Sequence, residues 1–240
     1  MRYIAKSIQP PPSIREWRAV QEPVGVNLDY SSFTRAPQLR GELIAEQSGL
    51  CAYTGAPIDE RLGGYHDDNL VFQAHIEHVK PRAICEAELT ARGGDYGREL
   101  CEDMDHHNLV AALEVKRKSP SKSEIFGAAA HGDNILPITP LQPDCEHKFR
   151  FDENGGIQGL DVTATQTIEL LKLGHATLTG WRRGAIAGFF PPSLNLNRGE
   201  IEAMVDRLDQ PTDGRLPEFS FCIRSYAMSL LQAPLGEDLP

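Results

Sequence analysis

The chain has 240 residues, with 34 acidic against 24 basic side chains and a formal net charge of −10. Its apolar fraction of 40% excludes a disordered chain, and its acidic balance excludes a protein that grips nucleic acid by bulk positive charge alone. There is no secretory pattern, no run of about 18 apolar residues and no paired cysteine framework, so we expect a cytoplasmic protein that does not enter a membrane.

The predicted elements divide the chain into three segments. Residues 1–36 form an arm with one short helix that begins at Pro12-Ser13. Residues 37–160 form a core of mixed helices and strands. The elements that we predict in this core are, in chain order, a helix over 37–48, a strand over 70–79, a helix over 83–92, an apolar run from Asn108 and a hairpin over 149–157.

The third segment, residues 161–240, is helical. Ile168, Leu171 and His175 predict one face of a helix that begins near Thr165. Further along, Asn197 and Glu200 have the spacing of a capping box. The apolar stripes of these helices are either core or a face on which a partner docks. The predicted fold class is therefore α+β, with a β and loop centre in a mostly helical chain.

The candidate chemistry lies in the central segment. Five of the eight histidines lie between positions 75 and 131, together with several acidic side chains. Neutral imidazoles and carboxylates at close range are what a divalent metal site or a general base needs. Clustering alone is weak evidence, because polar loops collect such residues.

The order of these residues is more specific. Glu77-His78 ends a predicted strand, Asn108 follows in a loop, and His131 lies near a weak helix. This order is that of the ββα-metal site of HNH nucleases. In such a site His78 is the general base, Asn108 orients the base or fixes the loop, and Glu77 and His131 hold the metal. His107 is the alternative to His131.

Each of these residues also has an ordinary structural interpretation. His78 suits a turn before a proline, Asn108 suits a helix N-cap, Glu77 suits a salt bridge at a strand end, and His131 suits a loop. The metal would be Mg²⁺ or Mn²⁺, and Zn²⁺ also suits such ligands.

The chain resembles the PtuB-type HNH endonucleases of Septu and retron anti-phage systems over most of its length. The motifs that carry this resemblance are Met1–Ile4, Leu39–Tyr53, Ile76–Pro81, Asn108–Val110, Cys145–Phe149, Asn154–Ile157 and Leu170–Leu178 with Arg182. The resemblance implies an endonuclease effector that cuts DNA or structured RNA. It also implies a PtuA-like ABC-type ATPase as partner and, in retron-linked systems, a reverse transcriptase with its msDNA.

Two alternatives to the nuclease remain. One is a catalytically weakened scaffold that docks on the ATPase, and the other is a metal-binding adaptor without nuclease activity. The scaffold is suggested by departures from the family pattern, which usually has further cysteines where this chain has Thr54, Ala111–Leu113 and Phe126–His131. An all-cysteine zinc site needs four thiolates. We therefore expect no structural zinc, and apolar packing around Phe126 in its place.

Four basic residues are candidates for contact with nucleic acid: Lys80, Lys116, Arg117 and Lys118. The last three belong to the one basic run of the chain, which is equally well explained as a solvated loop. Because the net charge of −10 opposes encounter with a polyanion, we expect a nuclease that depends on a partner to deliver its substrate.

Overall fold

A computed structural model describes residues 1–25, 27–59, 66–67, 70–94, 99–116, 123–191 and 196–232 of the chain. The helices are α1 (Pro12–Gln21), α2 (Ala36–Glu46), α3 (Arg82–Ala91), α4 (Ala128–His131), α5 (Val162–Leu170), α6 (Ala176–Phe189), α7 (Arg198–Arg207) and α8 (Ser220–Gln232). The strands are β1 (His66–Asp67), β2 (Leu70–His78), β3 (Leu109–Lys116), β4 (Phe149–Phe151) and β5 (Ile157–Gly159). The α+β class is confirmed.

The central sheet is antiparallel, in the order β1-β2-β3. Its register pairs His78 at the end of β2 with Leu109 at the start of β3. Helix α2 packs on both long strands, and α4 packs on β3. Both faces of β3 are buried. Its sequence is therefore a nearly continuous run of apolar residues rather than an alternation of apolar and polar ones. The second sheet is the hairpin β4-β5.

One hydrophobic cluster draws residues from all three sequence segments. The first segment contributes Met1 and Trp17, and the Trp17 and Phe33 rings form a T-shaped contact with centroids 5.3 Å apart. The other two segments contribute, among others, Leu43, Phe72, Phe126, Leu171 and Phe219. The N-terminal segment is therefore an integral part of this core.

The apolar stripes of the C-terminal helices form a second core. Ile186 of α6, Ile201 of α7 and Ile223 of α8 are buried against one another. The predicted capping box at the start of α7 is confirmed, because Asn197 and Glu200 each bond the other's backbone N–H. The sequence left open whether these stripes are core or a docking face. In the described helices they pack in a core.

The predicted helix through His175 is wrong at its C-terminal end. Helix α5 ends at Leu170, and Lys172 follows with a left-handed φ of 48°. The N–H of Leu173 bonds the carbonyl oxygen of Ile168, which closes the helix. His175 is instead the N-cap of α6, where its Nδ1 accepts from the N–H of Thr177.

Within the described residues, no helix has the length and apolarity that a membrane crossing requires.

Candidate functional site

Asn108 joins the facing ends of β2 and β3. Its Oδ1 accepts from the N–H of Lys80 at 2.6 Å, and its Nδ2 donates to the carbonyl oxygens of Lys80 at 3.1 Å and Glu102 at 3.3 Å. The residue is buried and ends a 3-10 turn over His106–Asn108, so it does not cap a helix. The side chain therefore fixes the turn that follows His78.

His78 is the last residue of β2 and is 9% exposed. Its Nε2 lies 3.0 Å from the carbonyl oxygen of Asp103. Because a carbonyl can only accept, Nε2 carries the hydrogen and Nδ1 keeps its lone pair. None of the described residues forms a hydrogen bond with Nδ1. Burial, with a smaller contribution from the charge of Arg82, lowers the pKa of His78 to about 4, so the ring is neutral at pH 7.

The N-terminal segment covers one side of this histidine. The Tyr30 ring meets the His78 ring edge-on, with centroids 4.6 Å apart. The backbone N–H of Tyr30 donates to Oδ2 of the fully buried Asp103, and the Arg82 guanidinium lies 5.0 Å above the Tyr30 ring. The same Asp103 thus holds His78 through its backbone and Tyr30 through its side chain.

Glu77 of β2 and His131 of α4 are in direct contact. Oε1 of Glu77 lies 2.5 Å from Nδ1 of His131, the last residue of α4. Nε2 of His131 lies 2.7 Å from the carbonyl oxygen of Asn134. Both ring nitrogens of His131 therefore face oxygen atoms. The structure therefore brings together the two residues that the sequence suggested as metal ligands.

Two further side chains contact the Glu77 carboxylate. The Tyr53 hydroxyl donates to Oε1 at 3.2 Å, and His75 Nε2 lies 2.9 Å from Oε2. Burial alone would raise the pKa of Glu77, but the hydrogen bonds to His131 and His75 outweigh it and hold that pKa below its usual value. Burial, reinforced by the Glu77 charge, raises the pKa of Tyr53 well above its usual value. The carboxylate is thus held in its charged form.

These partners differ in how far the sequence predicts them. His75 is two residues before Glu77 on β2, so strand alternation places both on one face. Tyr53 lies 24 positions before Glu77, in a turn, and no local pattern connects the two. The contact of His78 with the Asp103 carbonyl is likewise invisible in the sequence, because any residue type supplies a carbonyl.

The Glu77–His131 pair fits a divalent metal in its donor set. A metal bonded at about 2.1 Å to two atoms at a right angle holds them about 3 Å apart. The 2.5 Å separation of Oε1 and Nδ1 therefore needs to widen by only about half an ångström. The pair supplies one oxygen and one nitrogen, and the remaining positions would belong to water and substrate oxygens.

The other candidate residues do not join this pair. His107, the alternative metal ligand, is exposed and lies 3.3 Å from Oδ1 of Asp105. Lys80, a candidate for nucleic-acid contact, has its Nζ 2.5 Å from the carboxylates of both Glu88 and Glu102, so its charge is engaged within the protein. The side chain of Lys116, together with Arg117 and Lys118, lies outside the described residues.

The region in which the resembled family has further cysteines is packed with other side chains. Thr54 and Cys51 are buried, and the Cys51 sulfur accepts from the N–H of Leu113 at 3.2 Å. The Phe126 ring packs on Phe72 and Trp181, with centroids 5.9 and 6.0 Å apart. All five cysteines of the chain are free and buried.

No protein-family model matches the sequence, and no curated protein shows significant similarity to it.

Proposed function

We propose that the chain is a metal-dependent endonuclease of the HNH type, which hydrolyses phosphodiester bonds. The observation that carries the proposal is the 2.5 Å contact between Glu77 and His131, with His78 adjacent to Glu77 in the chain and Asn108 fixing the turn beyond it. An acidic and an imidazole ligand, together with a neutral histidine, are the groups that metal-dependent hydrolysis of a phosphate ester needs.

The residues of the site divide the chemistry between them. His78 takes a proton from the attacking water at Nδ1, while its Nε2 stays bonded to the Asp103 carbonyl, which orients the ring and stabilises the imidazolium. Arg82 and burial oppose that imidazolium, and an anionic phosphate beside the ring favours it. Glu77 and His131 would hold the divalent ion, and such an ion would neutralise charge that develops on the phosphate.

The proposal extends to the setting in which the protein acts. We place it in the cytoplasm as the effector of an anti-phage complex with a PtuA-like ATPase and, in retron-linked systems, with a reverse transcriptase and its msDNA. Three features favour a partner that delivers the substrate. The net charge is −10, Lys80 is already paired with two carboxylates, and Tyr30 covers one side of His78.

A catalytically silent scaffold is the second candidate. It is favoured by the burial of Glu77 and His131 and by the hydrogen bonds that the pair already has without a metal. A buried, fully hydrogen-bonded pair of polar side chains can serve structure alone. In that case the pair would fix α4 against the sheet, and the protein would act by docking on the ATPase.

A cleavage assay distinguishes the two candidates. Supercoiled DNA and structured RNA are incubated with the purified protein in Mg²⁺, in Mn²⁺ or in EDTA. The nuclease predicts cleavage of at least one substrate that requires the metal and that EDTA stops. The scaffold predicts no cleavage in any condition, also when the co-expressed ATPase is present.

A further inference from the structure

A second group of possible metal ligands lies in the loop before β3. Oδ1 of Asp105 is 3.3 Å from Nδ1 of His107 and 3.8 Å from Nδ1 of His106. Within the described part of the chain, this is the one place where ligand atoms of three His, Cys, Asp or Glu residues lie within 4.8 Å of one another. We propose that Asp105, His106 and His107 bind a divalent transition metal ion, best matched by Zn²⁺, at a site separate from Glu77 and His131.

The hydrogen bonding of His106 points to a ligand. Its Nε2 lies 2.7 Å from the carbonyl oxygen of Ser7, so Nε2 carries the hydrogen. The ring is 3% exposed, and its neutral form has a lone pair on Nδ1 that faces the carboxylate oxygen of Asp105. Two electron-rich atoms that face each other in this way are stabilised by a cation between them. A backbone carbonyl on the second nitrogen is also the usual support of a metal-bound histidine.

The distances suit a transition metal. Ligand atoms about 2.0–2.1 Å from a tetrahedral ion lie about 3.3–3.4 Å from each other. The observed 3.3 and 3.8 Å reach that geometry with small rotations of side chains. The His106 and His107 rings are already close, with centroids 4.0 Å apart. Two imidazoles and one carboxylate favour Zn²⁺ over Mg²⁺ or Ca²⁺, which prefer oxygen ligands.

The surroundings leave the site open on one side. His107 is exposed, Asp105 is half exposed, and both line a cavity of about 310 Å³ that Lys80 and Asn108 also border. An ion held here would keep a position for water or another ligand. It would also tie the N-terminal segment, through Ser7 and His106, to the loop whose Asp103 carbonyl holds His78. We therefore assign it a stabilising role for that loop, and this role does not depend on the nuclease proposal.

The test is titration of untagged, EDTA-treated protein with ZnCl₂ by calorimetry, with thermal melts in parallel. The variants His107→Ala and Asp105→Asn each remove or weaken one ligand. Glu77→Gln weakens the other candidate site, and His147→Ala removes an exposed histidine elsewhere. We expect His107→Ala to weaken one saturable Zn²⁺ site at least tenfold and to abolish the associated rise in Tm. Glu77→Gln and His147→Ala should keep both the affinity of this Zn²⁺ site and the associated rise in Tm.

Two results of the titration would overturn the proposal. One is a wild-type protein that shows no saturable Zn²⁺ site. The other is a site whose affinity is unchanged in His107→Ala and Asp105→Asn. Circular dichroism of each variant checks that the fold is retained. A zinc-edge anomalous difference map then locates the ion, and a peak only at Glu77 and His131 would also contradict the proposal.

Discussion

Nδ1 of His131 lies 2.5 Å from Oε1 of Glu77, although 54 positions separate the two residues in the chain. Both side chains are buried, and Tyr53 donates to the same Oε1. The remaining polar atoms, Oε2 of Glu77 and Nε2 of His131, contact His75 and the Asn134 carbonyl. A buried charge is tolerated only with such partners. The contact therefore predicts measurable consequences for stability as well as for chemistry.

The first prediction concerns the coupling of these two residues. In the absence of metal, Glu77→Ala or His131→Ala should each lower the free energy of unfolding by about 3–5 kcal/mol, because each leaves a buried partner uncompensated. The double variant should cost less than the sum, with a coupling energy of about 1–3 kcal/mol. Urea unfolding in EDTA measures all four corners of the cycle.

A matched control for this cycle lies on α7. Arg198 and Glu202 form an exposed ion pair at i and i+4, with an N–O distance of 3.1 Å. Removing either partner there should change the free energy of unfolding by less than about 1 kcal/mol. Equal, additive costs for Glu77 and His131 would show that the two residues do not interact in solution.

The second prediction is an acid-dependent loss of stability that originates at His78. Its pKa is about 4 in the folded protein, against an ordinary value of 6.5 in the unfolded chain. Between these two pH values the unfolded chain binds the proton and the folded protein does not, so stability falls as the pH falls from 6.5 to 4. The contribution is of the order of 3 kcal/mol, and it levels off below pH 4.

His78→Gln isolates this contribution, because glutamine cannot titrate and its amide can still donate to the Asp103 carbonyl. The fall in stability between pH 6.5 and pH 4 should be smaller in the variant by that amount. Other titrating groups cancel in the comparison. Parallel pH profiles for the variant and the wild type would mean that His78 is solvated and titrates normally.

The third prediction concerns Asn108. Asn108→Asp keeps the size and one acceptor but cannot donate to the carbonyl oxygens of Lys80 and Glu102. Each of the two lost hydrogen bonds contributes about 0.5–1.5 kcal/mol, so the variant should lose about 1–3 kcal/mol of stability. Any metal-dependent cleavage should slow with it, since the turn after His78 loosens.

Asn154→Asp is the matched control for this prediction. Asn154 lies at an exposed turn, so the change should alter stability by less than about 0.5 kcal/mol. Equal effects at the two positions would contradict the role of Asn108 in fixing the turn after His78.

The fourth prediction contrasts two glycines near α6. Gly155 has a left-handed φ of 75°, and a Cβ there would lie 2.2 Å from the carbonyl oxygen of Thr179. Gly155→Ala should therefore separate the β4-β5 hairpin from α6, where Arg182 Nε donates to the Gly155 carbonyl, and should lower Tm strongly. Gly184 is exposed inside α6 with open space around it, so Gly184→Ala should raise stability by about 0.5–1 kcal/mol. If the Tm of both variants rose, or the Tm of both fell, the prediction would be wrong.

The sequence predicts the local parts of this fold well. The strand pattern of β2 and the capping box at Asn197 depend on neighbouring residues, and both are confirmed. The apolar run from Asn108, for which the sequence predicts no element type, forms β3. The end of α5 was missed because the left-handed turn there is made by Lys172, which is not a glycine. Residue type gives no warning of such a turn.

The site is predictable only in part, because its contacts are long-range. Glu77 and His78 are adjacent in the sequence, and a strand end is visible there. Whether His131 or His107 meets Glu77 depends on how the chain returns after β3, which no local pattern encodes. Tyr53 and the Asp103 carbonyl come from segments about two dozen positions away from their partners. The catalytic roles of these residues stay predictions.

The most direct test of the central claim is the rate of metal-dependent cleavage by His78→Ala relative to wild type, with His147→Ala as an exposed histidine control. The nuclease proposal predicts that wild type and His147→Ala cleave equally in Mn²⁺ or Mg²⁺. It predicts that His78→Ala is slower by about 10²- to 10⁴-fold, the usual contribution of a general base. Equal rates for His78→Ala and wild type, or no metal-dependent cleavage by the wild-type protein, alone or with the proposed ATPase partner, would contradict it.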